Sequence, residues 1–336
     1  MPRYAFSRGH HAIVQFLVSV LILVLVAVPL KAQEAFGPPR EVKIGLLMTD
    51  LTEVNGAEQS FTADVFMLAS WNDPELAGGT DGIRTLDYDE VWHPTILIYN
   101  RRAVSQSMPN EVMVRPDGTV TYLQRFTGQF SAPMSLREFP RDRQEFFVWL
   151  VSPTRAGANV TLVPDESVVA LVTSELSISD WDVGEARMTL EDFQAAPGAP
   201  TNPGIKLIVP ATRKVTYYTI QVLIPLIAIV MMAYAVFWVA PTVVPTRVGV
   251  VVTTMLTLIA YRFMLANHVP RLSYLTRLDW FMLGATVLVI LTLFTMAGTS
   301  YLVSREQETT VKNIDRAGRI LYPVIFVVYS VIVWWA

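Results

Sequence analysis

Arg247, Gly249, Thr253, Leu256, Ala260, Phe263, Met264 and Asn267 lie within one apolar run, Pro245 to Pro270. From Gly249 through Thr253, Leu256 and Ala260 to Asn267 the steps are four, three, four and seven residues. That is the rhythm of a helix presenting one face to a shared axis. Glycine and threonine on such a stripe serve no purpose against lipid, but they suit the wall of a pore, where Thr253 offers hydroxyl oxygen to a passing ion. Rings of Leu256, and of Phe263 or Met264, would be apolar constrictions able to close by dewetting.

The rest of the chain must position that stripe. Hydrophobic residues make up 52% of the 336 residues, and they are unevenly spread. Val215 to Ala336 has only twelve charged residues, whereas Gln33 to Lys214 has 25 acidic and 15 basic ones. One half therefore faces water and the other is embedded in a membrane. Residues 1–32 read as a signal sequence, with Arg3 and Arg8 before the apolar run Ala12 to Leu30 and Ala32 as a small residue for cleavage.

Enzymatic chemistry finds no constellation. Without cysteine there is no thiol nucleophile, thiolate metal site or disulfide. The four histidines are His10, His11, His93 and His268, too scattered for a metal cluster. Nucleophile elbow, phosphate loop and paired-histidine zinc motif are all missing. No catalytic residue, metal, cofactor or nucleic-acid partner is expected.

Residues 33–212 read as a β-sandwich on the far side of the membrane. Strands are predicted over Phe61 to Trp71, Thr95 to Tyr99, Val112 to Val114, Thr119 to Phe126, Glu145 to Val151 and Lys206 to Val209. Trp71, Trp92, Trp149 and Trp181 are its expected core tryptophans. Residues 213–336 supply four spans, about 215–238, 245–267, 278–303 and 320–336, in an all-α bundle. Pro225 lies inside the first, which is tolerated when neighbours satisfy the freed carbonyl. The 304–319 connection is basic, as a cytoplasmic loop should be.

Several motifs carry a family resemblance. They are Trp71-Asn-Asp-Pro-Glu-Leu76, Trp92-His-Pro94, Pro116-Asp-Gly118, Phe139-Pro-Arg-Asp-Arg-Gln144, and Arg213 followed by Pro225. With the order of signal, sandwich and four helices, they make the chain resemble the pentameric ligand-gated ion channels, or Cys-loop receptors. Pro116 to Phe126 and Arg319-Ile-Leu-Tyr-Pro323 look closest to the proton-gated bacterial type.

The resemblance implies a homopentamer in a cell inner membrane, in contact with lipid, with the sandwich in the periplasm or outside. It passes inorganic ions and is opened by a small ligand or protons. Asp142 and Arg213 would form an ion pair coupling sandwich to membrane, with Phe139 and Pro140 pressing on the link from Pro270 to Tyr274, and Glu53 or Glu58 joining them. Family ligands bind between subunits among aromatics, for which Phe66, Tyr99 and Phe193 are the candidates. The 190–204 loop offers only Phe193, which disfavours an amine held by cation–π contacts.

The mouth, Pro245-Thr-Arg-Val-Gly249, has no acid and looks like the P-A-R-V-G of glycine-receptor-type anion channels. Arg247 is read as a ring there, giving anion selectivity. Against it stands the formal charge of −10 over Gln33 to Lys214, which favours cations. The first hairpin has Asn55-Gly56 and Gln59 where the proton-gated type has acids, and Leu258 replaces its pore-helix histidine. Glu58, Asp87 and Asp89 remain candidates for titration. A cation-selective proton-gated channel is the alternative reading. A non-conducting, membrane-anchored ligand sensor is the alternative from another class.

Overall fold

The computed structural model describes residues 40–335 except 79–81, 154–159, 166, 169, 170, 173–175 and 267–271. The expected signal stretch lies outside the described residues, as do Asn267 and Pro270.

Two packed sheets form the first domain. One holds β1 (Arg40–Asn55), β2 (Ser60–Asn72), β3 (Arg84–Asp87), β5 (Arg101–Gln106), β6 (Glu111–Val114), β7 (Thr119–Ser131), β9 (Val160–Pro164) and β10 (Leu171–Val172). The other holds β4 (Leu97–Ile98), β8 (Arg143–Val151), β11 (Trp181–Val183), β12 (Arg187–Leu190) and β15 (Gly204–Arg213). A separate hairpin pairs β13 (Phe193–Gln194) with β14 (Thr201–Asn202).

Strict alternation makes these strands two-faced. On β2, Phe61, Ala63, Val65, Met67, Ala69 and Trp71 all turn inward. On β8, Phe146, Val148 and Leu150 do the same. An aromatic chain joins the sheets: Phe61 lies 5.2 Å from Phe146 and 5.5 Å from Phe130, and Phe146 meets Trp181 edge-on at 5.4 Å. The sequence pattern does not single out β1, because register shifts between Met48 and Asp50 and between Leu51 and Glu53 break its alternation. Inward parity passes from Met48 to Leu51, as a bulge requires.

Of the four tryptophans expected in the core, Trp71 and Trp181 are buried and Trp92 packs partly against it. Trp149 is a correction. It stands on β8 between Val148 and Leu150, so alternation turns it away from the core.

Among the described residues, four helices are long and apolar enough to cross a membrane: α1 (Thr216–Trp238), α2 (Val244–Leu265), α3 (Arg277–Ser304) and α4 (Glu308–Trp335). The last starts twelve residues before the expected span at 320, so most of the expected 304–319 loop is helix. Its first turns repay helix formation because Val311, Asp315 and Tyr322 share one buried face.

Two interior prolines are accommodated the same way. Pro225 cannot donate to the Gln221 carbonyl four residues earlier. The Tyr261 hydroxyl of α2 donates to that oxygen at 3.2 Å and to Val222 O at 2.8 Å. Pro323 frees the Arg319 carbonyl, which accepts from the Tyr234 hydroxyl of α1 at 3.3 Å. Neighbouring helices thus supply the donors the prolines lack.

Candidate functional site

The α2 helix begins with Pro245 in its first turn, where a missing N–H costs nothing. Arg247, Val251, Thr254, Leu258, Tyr261 and Leu265 form its buried face. Gly249, Thr253, Leu256, Ala260, Phe263 and Met264 are all exposed, Leu256 at 62% and Phe263 at 73%. At about 100° per residue the two sets lie on opposite sides of the helix. The Thr257 hydroxyl donates to Thr253 O at 2.8 Å.

Comparison with α4 gives this face its meaning. From Ile320 to Ile332 every exposed residue of α4 is aliphatic, among them Ile320, Val324, Val327, Val328 and Val331. That composition suits lipid. The exposed face of α2 interleaves glycine and threonine with large apolar groups, which suits a surface that meets water and ions as well.

Arg247 is a correction to the expected stripe. It is 2% exposed, on the face opposite Gly249, and pairs with Asp315 of α4. A guanidinium that deep in apolar surroundings needs a counter-ion, and Asp315, equally buried, supplies it. Arg247 does not line the exposed face.

Where sandwich and helices meet, the 136–144 loop does most of the contacting. Phe139 and Leu136 are buried in the same cluster as the helices. The Phe139 ring meets Tyr218 edge-on at 4.8 Å, and the Phe139–Pro140 peptide bond is cis. Leu136 N–H donates to the Tyr274 hydroxyl at 3.0 Å, and Arg277 N–H donates to Arg137 O at 2.9 Å. The loop therefore holds the described part of the α2–α3 link directly.

Asp142, 1% exposed, accepts from Arg213 Nε at 2.8 Å and from its Nη2 at 3.2 Å. Gln144 Nε2 donates to the second oxygen at 2.8 Å, and Arg213 lies 4.2 Å from the Trp181 ring centroid. A bidentate pair held on three sides fixes both strand ends at the membrane face.

Glu53 and Glu58 do not join it, which corrects that expectation. Both are exposed and make no ion pair among the described residues. The first hairpin loop touches the 132–136 segment through neutral groups instead. Gln59 O accepts from Ala132 N–H at 3.0 Å, Gln59 Oε1 accepts from Met134 N–H, and a Cβ at Gly56 would lie 2.6 Å from Leu136.

Tyr99 and Phe193 are brought together, and Trp149 joins them. Ring centroids are 4.3 Å apart for Tyr99–Phe193, 4.9 Å for Tyr99–Trp149 and 5.6 Å for Trp149–Phe193. Trp149 Nε1 donates to Glu191 O at 3.0 Å, and Lys206 pairs with Glu191 at 3.2 Å. Tyr99 remains 53% exposed, so the cluster is open on one side.

Phe66 stands apart on β2. It lies 5.5 Å from the Arg125 guanidinium and lines an apolar pocket of about 180 Å³ with Leu47, Leu68 and Leu123. Arg125 is paired with Asp64 and, with Thr127, holds that carboxyl below the usual range against the opposing effect of burial.

Two contributors escaped the sequence reading. Strand parity marks Trp149 as outward. On α4, Val311, Asp315, Gly318 and Tyr322 recur at steps of four, three and four, a spacing that marks Asp315 as part of one helix face.

Known proteins agree with this architecture. The neurotransmitter-gated ion-channel ligand binding domain matches residues 29–197, and the neurotransmitter-gated ion-channel transmembrane region matches residues 222–313. The chain belongs to the neurotransmitter-gated ion-channel family, whose members are channels and not enzymes.

A proton-gated ion channel of Gloeobacter violaceus is 23% identical over 298 residues, covering 88% of this chain and 82% of that one. Gamma-aminobutyric acid receptor subunit alpha-2 of Rattus norvegicus is 27% identical over 277 residues, 79% of this chain and 61% of the subunit. Subunit alpha-4 of the same species is 27% identical over 292 residues, 83% of this chain and 52% of the subunit. The chain thus spans little more than half the length of those two receptor subunits.

Proposed function

We propose that five copies of this chain surround an axis lined by Gly249, Thr253, Leu256, Ala260, Phe263 and Met264. They form an anion-selective channel of an inner membrane, with the sandwich in the periplasm, opened by a small ligand. The observation that carries this reading is the mixed polar and apolar face of α2, exposed opposite the face buried in the bundle.

Ion sign rests on the mouth. Arg247 is neutralised by Asp315, so the charge of that side chain is not the source of selectivity. The source is the helix end itself. No carboxylate stands between Val244 and Leu265, and Val243 gives the first turn no side-chain cap. Five such ends would place unpaired backbone N–H groups and positive dipole ends around the lumen. A local ring of this kind outweighs the screened −10 of the distant stretch Gln33 to Lys214.

The agonist site is the Tyr99–Trp149–Phe193 cluster, completed by Phe66 and Arg125 of an adjacent copy. Protons are the second reading, favoured by the name of the Gloeobacter relative. Asp50, Asp64, Asp117 and Asp165 do not serve it: hydrogen bonds from neighbouring residues hold all four carboxyls below their ordinary range, so they stay charged in mild acid.

Reversal potentials in liposomes, recorded in a chloride gradient while external pH is stepped, test the reading. Currents following chloride support it. Currents following the cation gradient refute the anion assignment, and currents that appear only with acid refute the ligand assignment.

A further inference from the structure

Strand alternation turns Phe147, Trp149 and Lys206 to one outer surface of the second sheet, because Val148 and Leu150 on β8 and Ile205 and Leu207 on β15 fill the core. The register sets Lys206 directly across from Trp149. Its ammonium lies 4.2 Å from the Phe147 ring centroid and 5.1 Å from that of Trp149. Glu191 holds it there, with both carboxylate oxygens at 3.2 Å from Nζ. The Lys206 side chain is only 16% exposed, so the cation is seated on the rings and not free in solvent.

We propose that Lys206 is a specificity-determining residue, a resident cation that bars amines from the Tyr99–Trp149–Phe193 cluster and leaves it to small uncharged molecules. The inference rests on reading that cluster as the agonist site. An aromatic face attracts a cation, and a carboxylate beside it strengthens the attraction. Here the chain supplies the cation itself. A ligand ammonium would find that face of Trp149 and both Glu191 oxygens taken, with a like charge next to them. Arg125, which an adjacent copy brings, is matched by Asp64 and has no spare charge for an anion. What stays open is the ring of Tyr99, which suits an uncharged apolar or hydrogen-bonding group.

Isothermal titration calorimetry of the full-length protein in detergent tests this with three probes of related shape. They are choline, its uncharged analogue with carbon in place of nitrogen, and the anion pivalate. The wild type should prefer the uncharged analogue to the other two. Lys206→Thr and Lys206→Val, short side chains at home in a strand, vacate the rings and free Glu191. Both should raise choline affinity about ten-fold. Lys206→Arg keeps a cation in place and should keep the wild-type order. Adding Glu191→Gln to Lys206→Thr should take back part of the gain. Arg187→Gln, which removes a different pair on the same sheet, should change nothing.

Preference of the wild type for choline or pivalate overturns the proposal, as does unchanged choline affinity in both short variants. So does failure of all three probes to bind any of the proteins. Choline that gains affinity for Lys206→Thr yet never alters channel current leaves the role of Lys206 standing and refutes the cluster as the agonist site.

Discussion

Arg247 and Asp315 form an ion pair inside the helical bundle, with side chains only 2% and 3% exposed, between the first turns of the pore-helix candidate and the peripheral helix α4. Removing one partner strands a buried charge, which costs about 3–5 kcal/mol. Asp315→Asn should therefore lower the thermal midpoint of the detergent-solubilised protein sharply. The joint replacement Arg247→Met with Asp315→Leu should recover most of it. Because the pair is neutral and faces away from the stripe, the double variant should also keep the wild-type reversal potential. A shift toward cations would return the Arg247 charge to the selectivity mechanism.

The Tyr261 hydroxyl serves a carbonyl that Pro225 leaves without its helical donor. Tyr261→Phe should destabilise by about 1–3 kcal/mol, the cost of a buried polar group left unpaired. Replacing Pro225 by alanine in the same background should recover part of the loss, because the helix then satisfies its own carbonyl. Thermal unfolding of the two variants and their combination measures the coupling.

Asp142 and Arg213 join the loop at the membrane face to the strand entering α1. Arg213→Lys keeps the charge but loses the bidentate fork and the fit against Trp181. This variant should still assemble, yet need more agonist or pass less current than wild type. Glu53→Gln and Glu58→Gln, which touch neither partner, should leave the agonist response unchanged. Dose–response currents for the three variants decide the matter.

Asp64 contributes to stability with a defined pH sign. Arg125 depresses its pKa in the folded state. The contribution is thus fully present above the ordinary carboxylate value of about 3.9 and is lost as pH falls through the lower folded value. Asp64→Asn should remove that acid-side loss and leave the pH dependence near neutrality unchanged. The pair is partly exposed, so the difference should shrink at high salt.

Much of the architecture was legible because it rests on period. Alternation exposed β2 and β8, and unbroken apolar runs exposed the four spans. The stripe from Gly249 to Met264 could be read because one helix carries all of it. Legibility failed where a partner distant in sequence decides the outcome. Nothing near Arg247 says whether it meets the lumen or Asp315, and nothing near Glu53 says that Gly56 and Gln59 would make the loop contact instead. Trp149 was misplaced for another reason: its size suggested the core, while its strand parity pointed outward.

The absence of native cysteine allows the pore face to be read chemically without background. The decisive measurement is the rate at which a charged methanethiosulfonate reagent blocks current through channels carrying one introduced cysteine on α2. Thr253→Cys, Leu256→Cys and Ala260→Cys should react and block, while Val251→Cys and Leu258→Cys should resist. Rapid block at Val251 or Leu258, or none along the stripe, would contradict the account.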